Sequence, residues 1–224
     1  YNMGTLYWQF NDCWPVASWS SRDYYGNWKA LHYAAKRAYE DLLISTIQSE
    51  DSISIYLIND ESENQNYDLL IEHIDYNGSR MGSKAKSTSI KGASNKLIHT
   101  LALDDYLYID SIENHSYLDI QVLQNGEVKA RTLHHFVKTK EMDLPYTGIS
   151  YKVEKDSIGF VLELFSDAFM KDVMINSLHD GSFEDNYFDL PANEHRRIRF
   201  YNDYPMEKFN TNNLTFFSIV DTYE

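Results

Sequence analysis

The chain has 224 residues, with 34 acidic against 20 basic side chains and a formal net charge of −14. That length holds one large or two ordinary domains. The charge argues against nucleic acid, whose binders present basic faces, and against anionic membrane surfaces, and no apolar run approaches the roughly 20 residues needed to span a bilayer.

All four tryptophans, Trp8, Trp14, Trp19 and Trp28, fall in the first 28 residues. The apolar run Thr5 to Trp8 predicts a short buried strand. It stops at a polar cluster, Gln9, Asn11 and Asp12, with Trp14-Pro15 behind it. A strand whose C-terminal end opens into a site has this pattern, and tryptophan beside amide and carboxylate suits a sugar: the indole stacks on the pyranose face while the polar groups bind hydroxyls. The competing reading is a packed core edge, since tryptophan buries large area in either setting. After a loop punctuated by Pro15 and Gly26, residues Trp28, Leu31, Ala35, Ala38, Tyr39 and Leu42 recur at helical spacing, with Asn27 as N-cap. One strand and one helix cannot bury both faces alone, so residues 1–42 are expected to pack on later domains or on polypeptide outside the chain. The opening lacks the basic and apolar regions of a signal peptide. A chain that opens inside a strand-like run is expected to be cut from a longer protein, and its compartment is not readable.

From residue 43 to 141 the pattern has period two. Predicted strands are Ser52 to Ile58, Tyr67 to Asp75, Leu97 to Leu103, Tyr117 to Leu123 and Val128 to Val137. Asn77-Gly78 and Asn125-Gly126 mark turns, the latter between two alternating runs. The Ser/Lys/Gly-rich stretch from Gly78 to Asn95 is expected to be a mobile edge with a loop. Short strands at regular spacing argue a β-sandwich of immunoglobulin-like type. The charged run from Lys138 to Pro145 is read as a linker. Residues 142–224 repeat the pattern with Ile149 to Val153, Ile158 to Phe165, Val173 to Ser177, Asn186 to Leu190, Arg196 to Tyr201 and Thr215 to Val220, which gives a second, smaller sandwich.

Other chemistry-bearing residues have plain readings. Cys13 stands alone, so neither a disulfide nor a thiolate zinc cluster forms within the chain, and a small buried thiol is expected. His134-His135 sit in a strand and point to opposite faces, which argues against a shared metal; they are read as a surface pair. Asp104-Asp105 and the acids from Asp180 to Asp185 lack calcium-loop spacing and are read as loop acidity. Arg196, Arg197 and Arg199 are expected to pair with neighbouring acids.

The run Gly4-Thr5-Leu6-Tyr7-Trp8-Gln9-Phe10-Asn11-Asp12-Cys13-Trp14-Pro15, followed by Ser18-Trp19-Ser20-Ser21, Asp23-Tyr24-Tyr25-Gly26, Trp28-Lys29-Ala30-Leu31-His32-Tyr33 and Ala35-Lys36-Arg37, resembles the end of the catalytic barrel in β-mannosidases of glycoside hydrolase family 2. The close match covers residues 4 to about 39; beyond that the likeness is one of layout. The resemblance implies a mainly β fold, two immunoglobulin-like β-sandwich domains preceded by the last strand and helix of a (β/α)8 barrel. The corresponding domains are 1–42, 43–141 and 142–224.

The parent activity it implies is a retaining exo-β-mannosidase, which needs two carboxylic acids about 5–5.5 Å apart. The family places both glutamates on earlier barrel strands, and residues 1–39 hold no glutamate, the first being Glu40. No catalytic residue is therefore expected here, and the chain alone is expected to be inert. Trp8 is implied as the wall beneath the terminal sugar at the barrel mouth, with a non-proline cis peptide after it. Asn11 and Asp12 either bind hydroxyls or brace the loop; Trp14 is either core or site; Trp19 and Trp28 are packing residues. The implied partners are a β-mannoside oligosaccharide and the upstream barrel and N-terminal domains, with no cofactor and no metal. A stand-alone carbohydrate-binding or adhesion sandwich, or the same region of another family 2 glycosidase, are the alternative readings. The first of these gains if residues 1–42 are disordered or pack as an ordinary part of a sandwich.

Overall fold

The computed structural model describes residues 4–106, 112–202, 204 and 207–222. They divide into two compact units: Tyr39–Pro145, and the described parts of Tyr1–Ala38 together with Tyr146–Glu224.

In the first of these, strands β1 (Leu42–Gln48), β2 (Ser52–Asn59) and β5 (Ser94–Ala102) form one sheet in the order β1-β2-β5. Strands β3 (Gln65–Asp75), β4 (Arg80–Ile90), β6 (Ser116–Gln124) and β7 (Glu127–His135) form the other, in the order β4-β3-β6-β7. All neighbours are antiparallel. The alternation that predicts β2 is realised side chain by side chain: Ile53, Ile55, Leu57 and Asn59 point inward. They meet Leu69 and Ile71 from β3 and Leu118, Ile120 and Val122 from β6 in one core. Asn125 (φ 54°) and Gly126 (φ 80°) supply the two successive left-handed residues that a tight hairpin between β6 and β7 requires.

Three expectations change here. The stretch expected to be a loop-bearing mobile edge is the regular edge strand β4, paired with β3 from Gln65↔Ile90 to Ile74↔Arg80. Its exposed Lys84 and Lys86 suit an outermost strand, where charge blocks further pairing. Strand β1 lies partly where the helix was expected to end. His134 is not a surface residue: it is 8% exposed. Its Nδ1 lies 2.9 Å from Thr46 Oγ1 on β1 and its Nε2 lies 2.9 Å from Gln48 Oε1, so the ring bridges the edge strands of the two sheets. His135 faces the other way, 3.2 Å from the Tyr76 hydroxyl.

The second unit repeats this layout. Strands β8 (Ser150–Lys155), β9 (Phe160–Phe165), β11 (Gly181–Phe183) and β13 (His195–Asn202) form a sheet in the order β11-β13-β9-β8. Strands β10 (Met170–Ser177), β12 (Phe188–Leu190) and β14 (Leu214–Phe217) form the order β12-β10-β14. Phe160, Leu162, Leu164, Val173, Ile175, Ile198 and Phe200 lie in its core. The arginines pair with acids as expected: Arg196 with Asp185, Arg197 with Glu154 and Glu163, Arg199 with Asp156.

Ahead of this sandwich, Thr5 to Trp8 is not a strand and joins none of the sheets among the described residues. Helix α1 spans Ala30–Ala38, two residues later at its start than expected and without Asn27 as its cap. Backbone pairing explains the shift. Trp28 is bridged to Arg22, and the Lys29 N–H donates to the Ser21 carbonyl at 2.9 Å, so neither residue is free to enter the helix. Asn27 instead closes a turn on Asp23, its backbone N–H donating to Oδ1 at 2.8 Å and its amide to Oδ2 at 2.9 Å. Gly26, at φ 93°, supplies the left-handed residue of that turn. Among the described residues no helix is long and apolar enough to cross a membrane.

Candidate functional site

Residues 9–29 fold as a doubled-back loop. The outgoing strand-like run, Gln9 to Asp12, is met in parallel by the returning Ser21 and Arg22. Ser21 N–H donates to Gln9 O at 3.1 Å, Arg22 N–H to Phe10 O at 2.9 Å, and Asp12 N–H to Arg22 O at 3.0 Å. Side chains reinforce the pairing: Ser21 Oγ donates to Phe10 O at 2.8 Å, and the Tyr7 hydroxyl reaches Ser21 Oγ at 3.2 Å.

The four residues expected to bind substrate do not share one role in this loop. Trp8 is 77% exposed, Trp14 is 62% exposed and Asn11 is also exposed. Asp12 is turned the other way and is 4% exposed. Its Oδ2 accepts from Lys29 Nζ at 2.7 Å and its Oδ1 from Ser18 Oγ at 2.5 Å. Lys29 Nζ also reaches Ser20 Oγ at 2.8 Å and the Ser18 carbonyl at 3.4 Å. The hydrogen bond from Lys29, with that from Ser18 behind it, holds the Asp12 carboxyl down at about 2, so it is ionised at any ordinary pH. Of the two readings of Asp12, bracing is the geometry present. The Trp8-Gln9 peptide is cis, as the resemblance implies.

Two packing expectations also change. Trp19 is 72% exposed rather than clamped, and Cys13 is exposed rather than buried. Trp28 does pack. Its ring stacks on His32 at a centroid distance of 3.9 Å, meets Phe10 edge-on at 6.0 Å, and lies under the Arg22 guanidinium at 4.9 Å. It joins the loop to α1.

Helix α1 is in turn fastened to the second sandwich. Tyr33 is 3% exposed and donates to the Phe183 carbonyl at 3.3 Å. Burial first, then the neighbouring Tyr187 and Asp185, pushes its phenol up to about 12. Lys36 Nζ donates to Glu184 O at 2.7 Å. Arg37 pairs with Asp185 and also donates to Asn186 O at 3.1 Å and Tyr187 O at 2.9 Å. The acids read as loop acidity thus include the anchor of the helix. Sequence reasoning missed Lys29, Ser18, Arg37 and Asp185 as positioning groups. Lys29 stands inside the quoted motif, but its partner is 17 residues away along the chain.

Among the described residues no group of three or more His, Cys, Asp or Glu side chains is placed to hold a metal ion.

Comparison with known proteins bears on this geometry. The model of the mannosidase Ig/CBM-like domain matches residues 51–141, and that of the mannosidase Ig-fold domain matches residues 144–222. Both sandwiches are therefore immunoglobulin-like domains of the mannosidase type. The two domain matches, together with the relatives below, fit the C-terminal part of a β-mannosidase of glycoside hydrolase family 2. The β-mannosidase of Bos taurus is 26% identical over 231 residues, covering 100% of this chain and 26% of that protein. That of Capra hircus is 47% identical over 60 residues, 27% of this chain and 7% of that protein. Among solved structures, the β-D-mannosidase from Dictyoglomus thermophilum superposes with a TM-score of 0.80 at 24% identity, over 95% of this chain and 26% of that one. The chain spans about a quarter of the length of relatives that it matches from end to end.

Proposed function

We propose that this chain is the C-terminal part of a retaining exo-β-mannosidase, and that residues 4–29 complete the sugar cleft of a barrel supplied by the rest of the polypeptide. Trp8 is the wall of that cleft. The observation that supports this reading is the contrast within one loop: indoles at positions 8 and 14 stand out in solvent, while the polar residues between and behind them knit the backbone together. A large apolar surface held rigid and left uncovered is a binding surface, either for ligand or for other chain.

In this reading Trp8 stacks on the terminal mannose, Asn11 offers its amide to a hydroxyl, and Trp14 borders the cleft. Both reacting carboxylic acids belong to earlier barrel strands supplied by the rest of the polypeptide, so the isolated chain has no turnover. One acid forms the glycosyl-enzyme bond, and the other protonates the leaving oxygen and then activates water. The stand-alone sandwich reading loses ground because residues 4–38 do not extend either sheet and instead attach through α1.

The test is an aryl β-mannoside assay on the full-length protein and on this chain. The full-length protein turns over the substrate, Trp8→Ala raises KM at least tenfold, and the isolated chain is silent. A folded full-length protein that does not hydrolyse the β-mannoside, or an isolated chain that does, sinks the proposal.

A further inference from the structure

The Asp12 carboxylate is a charged group removed from solvent at the base of an exposed aromatic loop, its side chain 1% exposed. Both of its oxygens are taken, one by Lys29 Nζ at 2.7 Å and one by Ser18 Oγ at 2.5 Å. With the side chain buried and each oxygen already bonded, the carboxylate presents no open face to a sugar hydroxyl. Lys29 spends its ammonium protons entirely within the loop, on Asp12, on Ser20 Oγ and on Ser18. Its backbone N–H is bonded to Ser21 O. One residue at the foot of α1 therefore holds the outgoing run at Asp12 and the returning run at Ser18 to Ser21. Trp8 and Trp14 flank the first of these, and Trp19 lies in the second. Breaking a buried charge pair from one side is costly because the remaining charge is stranded, so the loop has one favoured arrangement.

We infer that Asp12 and Lys29 are a positioning pair that sets Trp8 at the cleft and that neither touches substrate. This rests on the reading of Trp8 as the sugar wall. A misplacement on the order of 1 Å in a group that orients substrate costs up to about a hundredfold in rate, so a slackened loop has a clear kinetic signature.

The experiment is a steady-state comparison of full-length Asp12→Asn, Lys29→Met, Trp8→Ala and the Trp8→Ala/Asp12→Asn double variant on an aryl β-mannoside, with thermal unfolding as the control. Asp12→Asn and Lys29→Met are expected to lower kcat/KM by about tenfold or more, chiefly through KM, and to equal one another. The double variant is expected to be no worse than Trp8→Ala, because the pair acts through that indole. If Asp12→Asn fails to fold, Ser18→Ala, which removes a single bond to the carboxylate, is expected to give a smaller change in the same direction. Four results overturn the inference. The first is unchanged KM in both Asp12→Asn and Lys29→Met while Trp8→Ala is impaired, which leaves the wall reading intact. The second is a loss in Asp12→Asn without one in Lys29→Met, which makes Asp12 a direct sugar ligand. The third is a double variant whose losses multiply. The fourth is an unaffected Trp8→Ala, which removes the wall reading and this inference with it.

Discussion

Arg37 Nη1 lies 2.5 Å from Asp185 Oδ1, joining the last turn of α1 to the segment between β11 and β12. Asp185 is shared: its Oδ2 accepts from Arg196 at 2.6 Å, and its Oδ1 also accepts the Asn186 N–H at 2.9 Å. Its side chain is 14% exposed, against 35% for each arginine. Removing the carboxylate takes the ion-pair partner from two guanidinium groups and the acceptor from a backbone N–H, whereas removing Arg37 leaves Asp185 its partner Arg196. Asp185→Ala is therefore expected to cost about 3 kcal/mol, and Arg37→Ala about 1–2 kcal/mol. Urea unfolding of the chain measures both; equal costs would mean that the two arginines do not share the carboxylate in solution.

How far the sequence carries depends on where each residue finds its partner. Strands β2, β3, β6 and β7 are legible because their alternation and the Asn-Gly turns are local. Strand β4 hides because an edge strand rich in Lys and Ser has no apolar stripe; only pairing with β3 makes it a strand. The start of α1 is misread because Trp28 is held by Arg22 across a turn that helical spacing does not reveal. For Asp12, hydroxyl binding and loop bracing use the same atoms, and the choice is made by Lys29. Which face of β7 is buried is set by β1, whose Thr46 and Gln48 take both nitrogens of His134.

That burial makes stability depend on pH. Desolvation, with the adjacent His135 as a lesser cause, pushes the His134 imidazole down to about 4. An unfolded chain carries this histidine near its ordinary value of about 6.5. Between those values the unfolded state binds a proton that the folded state refuses. The contribution is intact above about pH 6.5 and is lost as pH falls towards 4, by up to about 3 kcal/mol. His73 and His99 are lowered by burial as well and act in the same direction. Unfolding free energies measured from pH 7 to pH 4 should fall, and His134→Gln should flatten the slope. An unchanged slope in that variant would place the proton uptake elsewhere.

Asn59 is a polar side chain with no exposure at the inward end of β2. Its amide donates to Glu63 O at 3.0 Å and Lys91 O at 3.3 Å, and its oxygen accepts from the Glu61 N–H at 3.1 Å. It ties together two loops that close one end of the first sandwich. Asn59→Ala leaves backbone groups without their partner and opens a gap, so a loss of about 2–4 kcal/mol is expected. Asn59→Asp keeps the acceptor but loses the two donated bonds and buries a charge, and should be no better. Chemical denaturation reads both; a loss below 1 kcal/mol for Asn59→Ala would mean that water replaces the amide.

The exposed indoles predict how the chain behaves when nothing covers them. Leu6, Trp8, Trp14 and Trp19 are each more than 60% exposed, and all fall within fourteen consecutive residues. Exposed apolar surface of this density drives association, even against a net charge of −14, which opposes it. The isolated chain is expected to self-associate at micromolar concentration and to bind a hydrophobic dye. Association should increase with added salt as the charge repulsion is screened. Replacing Trp14 and Trp19 with serine should return it to a monomer at unchanged thermal stability, because neither ring is packed. Sedimentation velocity on the two proteins decides the matter. A parent chain that stays monomeric in high salt would show that these exposed rings do not drive association.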